Sequence, residues 1–187
     1  MKRINNYIQE KLVINKNTKA RVYTCQPKDK NELRKILKER LSKDKNADLN
    51  DIDVSQITNM GPLNTSKYEG LFENLDPHNI DISTWDITNV KNMRGMFANC
   101  PNFNSNLYGW DMSKVEDTAF MFYECKNFNS DLSNWNVNNV TDMFSMFEGC
   151  KKFNSNLSNW DVSSVENMGS MFNGCTSLKN IPSWYHE

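Results

Sequence analysis

Apolar side chains recur along this chain with a period of 25 residues. Tryptophans stand at Trp85, Trp110, Trp135 and Trp160, and Trp184 falls one residue short of the next step. Val90, Val115, Val140 and Val165 keep the same register, as do the pairs from Met96-Phe97 to Met171-Phe172 and the cysteines Cys100, Cys125, Cys150 and Cys175. Phe103, Phe128 and Phe153 close their units, with Leu178 in the last. A fixed period of this size signals units that each bury too little alone and gain a core by stacking on their neighbours.

Within a unit, Leu132-x-x-Trp135-x-Val137 has the spacing of a leucine-rich repeat and predicts a short strand near the tryptophan. The run Val140-x-x-Met143-x-x-Met146-Phe147-x-x-Cys150 steps by three and four and predicts one face of a short helix. Ser113-x-x-Glu116 and Ser163-x-x-Glu166 fit a capping box at that helix's start. Asn104, Asn129 and Asn154, with Asn79 in register, precede the next strand and are expected to bond turn backbone as a ladder. The expected fold is therefore α/β: a right-handed leucine-rich-repeat-like solenoid with one short parallel strand and one short helix per repeat, behind an α+β N-terminal cap.

Three regions follow. Residues 1–50 form a basic cap, with strand-like stretches at Tyr7-Ile8, Leu12-Val13-Ile14 and Arg21-Val22-Tyr23 and a Lys-rich helix over 31–41. Residues 51–84 form a degenerate first repeat, because Asp53-Val54-Ser55 through Asn59-Met60 matches Asp161-Val162-Ser163 through Asn167-Met168, with an insertion near 61–68. Residues 85–187 hold four repeats, the last ending in an uncapped strand at Ser183–Glu187, an open edge that invites self-association or a partner strand.

These motifs, Trp160-Asp161-Val162-Ser163 with Met171-Phe172 and Phe153-Asn154 before Leu157, resemble the BspA-like leucine-rich-repeat proteins in their 25-residue sub-group. Asp48 to Ser55, preceded by a Lys-rich helix, looks like that family's junction into its repeats. The resemblance implies a right-handed solenoid of bacterial or mobile-element origin. For many members it also implies surface attachment and adhesion to host proteins.

Charge adds an asymmetry to this picture. Residues 1–50 carry 14 Lys and Arg against 6 Asp and Glu, whereas residues 51–187 carry 8 against 17. Either a basic nucleic-acid-binding head or electrostatic complementarity between head and body accounts for it. The opening Met1–Tyr7 lacks the apolar core of a secretory signal, so a cytoplasmic location is expected, with the surface as the alternative.

Chemistry is sparse. The two histidines, His78 and His186, have no triad context, and cysteines 25 residues apart lack zinc-motif spacing and read as small buried hydrophobes. No enzyme activity, cofactor or metal site is expected. The columns alternating with the core are more informative: Asp86, Asp111, Asn136 and Asp161 in one, Asn134 and Asn159 in another, with Tyr108 and Tyr123 as aromatic additions that vary between units. Phe120 and Phe144 are expected beside them as exposed rings. Like charges so close need relief from solvent and salt, a cation or a basic partner. The leading expectation is a non-enzymatic module that binds or inhibits a protein with a basic surface, with no membrane role. A host-protein adhesin and a nucleic-acid binder are the alternatives, and self-association through the C-terminal edge is a further route.

Overall fold

The computed structural model describes residues 22–62 and 70–186 of the 187-residue chain. The strand-like stretches expected at Tyr7-Ile8 and Leu12-Val13-Ile14, and the insertion beyond Pro62, lie outside these residues, and Val22 and Tyr23 of the third expected stretch form no strand.

Helix α1, Lys30–Lys43, is the one helix among them. Asp29 starts it as N-cap, accepting from Asn31 N at 3.0 Å and Glu32 N at 2.9 Å, while Glu32 reaches back to Lys28 N. Leu33, Leu37 and Leu41 form its buried stripe, each contributing about 1.5–3 kcal/mol of burial.

After α1 the chain runs in coils of about 25 residues that stack on one another. No strand forms among the described residues; contact between coils is made at isolated parallel bridges, Asn59 with Asn92, Asn92 with Asp117, Asp117 with Asp142 and Asp142 with Asn167. The expected α/β leucine-rich-repeat-like solenoid is thus overturned: the repeats contain neither the strand nor the helix, and are built of turns. At the predicted strand, Trp135 N closes a turn on Leu132 O at 3.1 Å. At the end of the chain, Ser183 and Trp184 form a turn in place of the expected strand.

The predicted helix is replaced by tandem turns, and the backbone shows why. Positive φ recurs at two places per coil, at Gly95, Phe120, Ser145 and Ser170, and at Asn99, Glu124, Gly149 and Gly174. A left-handed residue at the third place of a four-residue turn is what a type II turn demands, and it interrupts a helix. Alternate N–H groups then divide their work. Met96 and Cys100 close turns on Met93 O and Phe97 O, whereas Gly95, Phe97 and Asn99 donate to Ala119, Met121 and Tyr123 of the next coil. In place of the expected capping box, Glu116 N donates to Lys91 O and the Glu116 carboxylate pairs with Lys91 Nζ at 2.8 Å.

Side-chain ladders run through the core. Phe97, Phe122, Phe147 and Phe172 stack at centroid separations of 5.7, 5.6 and 5.9 Å. Each tryptophan indole donates to a carbonyl one coil back, from Trp85 on Leu49 O to Trp184 on Leu157 O. Cys125, Cys150 and Cys175 thiols do likewise at 3.0 Å, to Phe97, Phe122 and Phe147 carbonyls. Burial raises all the thiols of this column, Cys175 to about 12, which disfavours the thiolate and lets them pack as small apolar groups. Asparagine amides make the outer ladder: Asn104 Oδ1 accepts from Asn129 N, Asn129 Oδ1 from Asn154 N, and Asn154 Oδ1 from Lys179 N.

The basic head has structural employment. The Arg34 guanidinium donates to the carbonyls of Leu71 at 2.6 Å, Glu73 at 2.7 Å and Gly70 at 3.2 Å. Lys30 and Lys45 take Pro62 O and Leu75 O, and Arg40 pairs with Asp51 at 2.8 Å. Gly70 must stay bare, because a Cβ there would sit 1.7 Å from Gly95 O.

Candidate partner-binding face

The corners flanking each tryptophan are built from Asx turns, in which a side-chain oxygen bonds the backbone two residues on. Asp86 Oδ1 accepts from Thr88 N and Oγ1, Asp111 from Ser113 N, Asn136 from Asn138 N and Asp161 from Ser163 N, at 2.6–3.2 Å. One oxygen of each carboxylate is thereby fixed and the side chain stands exposed at a set orientation.

A second column repeats the arrangement five residues earlier, and the reading from sequence missed it. Asp81, Asn106, Asp131 and Asn156 bond Ser83, Tyr108, Ser133 and Ser158 N at 2.9–3.0 Å. The signal was available as Asx-x-Ser spacing on both sides of the tryptophan. Hydrogen bonds from the Ser113 and Ser163 side chains and backbones hold Asp111 and Asp161 below the usual carboxylate range. The Ser133 backbone and side chain do the same for Asp131. For Asp81, burial opposes ionisation but the bonds from Ser83 and Asn50 outweigh it.

Together the segments 81–89, 106–114, 131–139 and 156–164 carry Asp81, Asp86, Asp111, Asp131 and Asp161 against Lys114 alone, among Ser, Thr and Asn. Asp86 and Asp111 stand exposed at equivalent positions of successive coils. Asn134 Nδ2 donates to Tyr108 O, which ties that residue to the preceding coil; Asn159 is exposed in the next. Tyr108 stands 48% exposed on this face. Tyr123 does not join it. It lies half-buried on the turn segment with its ring 5.9 Å from Phe120. Phe120, expected exposed, is buried, and Phe144 is half-buried at 5.2 Å from it.

The turn segment holds a separate charge cluster. Arg94 reaches Asp142 at 2.9 Å and Asp117 at 3.3 Å and lies over the Phe120 ring at 5.3 Å. Burial raises the Asp117 carboxyl, although Arg94 and the Ala119 N–H act against the shift. One guanidinium here bridges two carboxylates, so most of this cluster's polar capacity is spent within the chain. Among the described residues no group of three or more His, Cys, Asp or Glu is placed to hold a metal, and no helix is long and apolar enough to cross a membrane.

No curated protein and no solved structure matches the chain. The family model described as Mycoplasma protein of unknown function, DUF285, matches it over residues 31–130 and again over 65–185. Those two overlapping matches take in α1 and every stacked coil, and the chain therefore belongs to this bacterial repeat-type family, which is related to the BspA-like repeat proteins.

Proposed function

We propose that the chain is a non-enzymatic module that binds a protein partner with a basic surface through the two Asx-turn columns flanking the tryptophans. The observation that carries this reading is the orientation of the carboxylates. Asp81, Asp86, Asp111 and Asp131 are each held by a hydrogen bond to backbone two residues on, so little side-chain entropy remains to be lost on contact. Five carboxylates against one lysine on these segments favour a cationic partner. Occupying that partner's functional surface would make the module an inhibitor. The finer membership, in the 25-residue BspA-like sub-group, rests on the Trp-Asp-Val-Ser and Met-Phe columns and belongs to the same proposal, as does a cytoplasmic location.

Capture from the native host's lysate compares the intact chain with a variant carrying Asp86→Lys, Asp111→Lys and Asp161→Lys. A partner retained by the first, lost by the still-folded second and released by moderate salt supports the proposal. Equal capture by both refutes it.

A further inference from the structure

The turn before each of the four 25-spaced tryptophans places two residues at its tip, between the two Asx columns. Trp85, Trp110, Trp135 and Trp160 close these turns on Ile82, Leu107, Leu132 and Leu157, each at 3.1 Å, so the tips are Ser83-Thr84, Tyr108-Gly109, Ser133-Asn134 and Ser158-Asn159. Among these four, only the second carries a ring and a bare neighbour.

The fold requires neither departure. Tyr108 is 48% exposed, and among the described residues its ring stacks on no other ring and its hydroxyl has no hydrogen-bond partner. Gly109 does not take a positive φ, and a Cβ there would meet only Ser83 O, at 3.8 Å, an ordinary contact. A side chain such as that of Thr84 or Asn134 would fit, and its absence leaves a notch in the row next to Tyr108. The Tyr108 backbone, in contrast, is held on both sides: its N–H donates to Asn106 Oδ1 at 3.0 Å, and its carbonyl accepts from Asn134 Nδ2.

The flanking columns supply Asp81 and Asp86 from the coil before, Asp111 from the same coil and Asp131 from the coil after. None of the four is ion-paired among the described residues, and Lys114, the one cation of these segments, donates to Asn89 Oδ1 at 3.3 Å.

The same parts meet on the turn segment with their cation in place. There Arg94 lies over the Phe120 ring at 5.3 Å and reaches Asp142 at 2.9 Å and Asp117 at 3.3 Å, carboxylates of successive coils. A planar guanidinium stacks on a ring while its edge still donates to carboxylates on either side, which a compact, strongly hydrated ammonium does less well. At Tyr108 the ring and the carboxylates recur without a guanidinium from the described residues.

We infer that Tyr108 receives an arginine side chain of the partner, with its stem in the Gly109 notch, its guanidinium on the ring and its N–H groups on the flanking carboxylates. The inference rests on the acidic columns as the binding face, and it names the group that face selects: arginine over lysine.

The test is fluorescence anisotropy of labelled hexa-arginine and hexalysine titrated with the full chain at matched ionic strength. The intact chain is expected to bind hexa-arginine about tenfold more tightly than hexalysine. Tyr108→Ser, which installs the residue of the other three tips, should bring hexa-arginine down to the level of hexalysine, whereas Tyr108→Phe should keep the preference. Gly109→Asn, which fills the notch with the residue of the next two tips, should reduce the preference as well. Equal affinities in the intact chain, or a preference that survives Tyr108→Ser or Gly109→Asn, overturn the inference alone, provided that Asp86→Lys with Asp111→Lys and Asp161→Lys abolishes binding of both peptides. Binding that this triple variant retains, or no binding of either peptide to the intact chain, overturns the inference together with the face on which it rests.

Discussion

Arg34→Met removes the charged cap from the carbonyl end of the stack while keeping most of the side chain's apolar stem. Two short bonds, to Leu71 O at 2.6 Å and Glu73 O at 2.7 Å, and a longer one to Gly70 O at 3.2 Å disappear together. Hydrogen bonds to a charged group contribute about 1.5–3 kcal/mol each. Because Arg34 is half-buried, the low end applies and the longest bond counts for little, which gives a loss of about 3 kcal/mol. For a chain of this size, that corresponds to a fall in Tm of about 6–12 °C. Urea unfolding followed by tryptophan fluorescence measures it, with Lys35→Met as the control, since Lys35 lies exposed on α1 and loses the same charge. The reasoning is refuted if the two variants unfold within about 0.5 kcal/mol of each other, the range of ordinary surface changes. A reduced urea slope would instead mean that α1 detaches before the coils unfold.

Three further outcomes follow from the ladders. Gly149→Ala forces a side chain into φ +76° with its Cβ 2.6 Å from Glu124 Oε1, and should cost about 2 kcal/mol by the same urea assay. Asn129→Ala strands the Asn154 N–H that its amide oxygen now accepts, for a loss of about 1–2 kcal/mol; an unchanged midpoint would show water replacing the ladder. The buried thiols make the fold sensitive to alkali. Their folded pKa values lie above the unfolded value, so their contribution is complete below about pH 9. Above it, stability falls by about 1.4 kcal/mol per thiol per pH unit until the folded thiol ionises, at about 12 for Cys175. Cys125→Ala should lower that slope, and a thiol reagent should modify half-buried Cys25 well before Cys100, Cys125 or Cys150.

The inward columns were legible because burial leaves a periodic trace: the Trp, Val, Met-Phe and Cys positions recur every 25 residues, and nearly all of them are core. The local conformation was not legible from that trace. Apolar residues at steps of three and four suit a helix, but they also suit tandem turns in which every second N–H leaves for the next coil. The discriminating positions are Gly95, Gly149 and Gly174, which tolerate positive φ, yet the same columns hold Phe120, Glu124 and Ser145 and so hide the pattern. Each of those three costs about 1–2 kcal/mol in the left-handed region and is retained only because stacking over-determines it. The acidic columns were half visible. Asp86, Asp111 and Asp161 stood out by charge, while Asp81 and Asp131 escaped because their column alternates with Asn106 and Asn156, whose amide oxygens make the same turn without a charge. The turn needs only the oxygen, so the choice between Asp and Asn at these corners is left free by the fold. That freedom makes the pattern of carboxylates on this face a property a partner can select, and Asp81→Asn with Asp131→Asn should preserve stability while weakening capture of a basic partner.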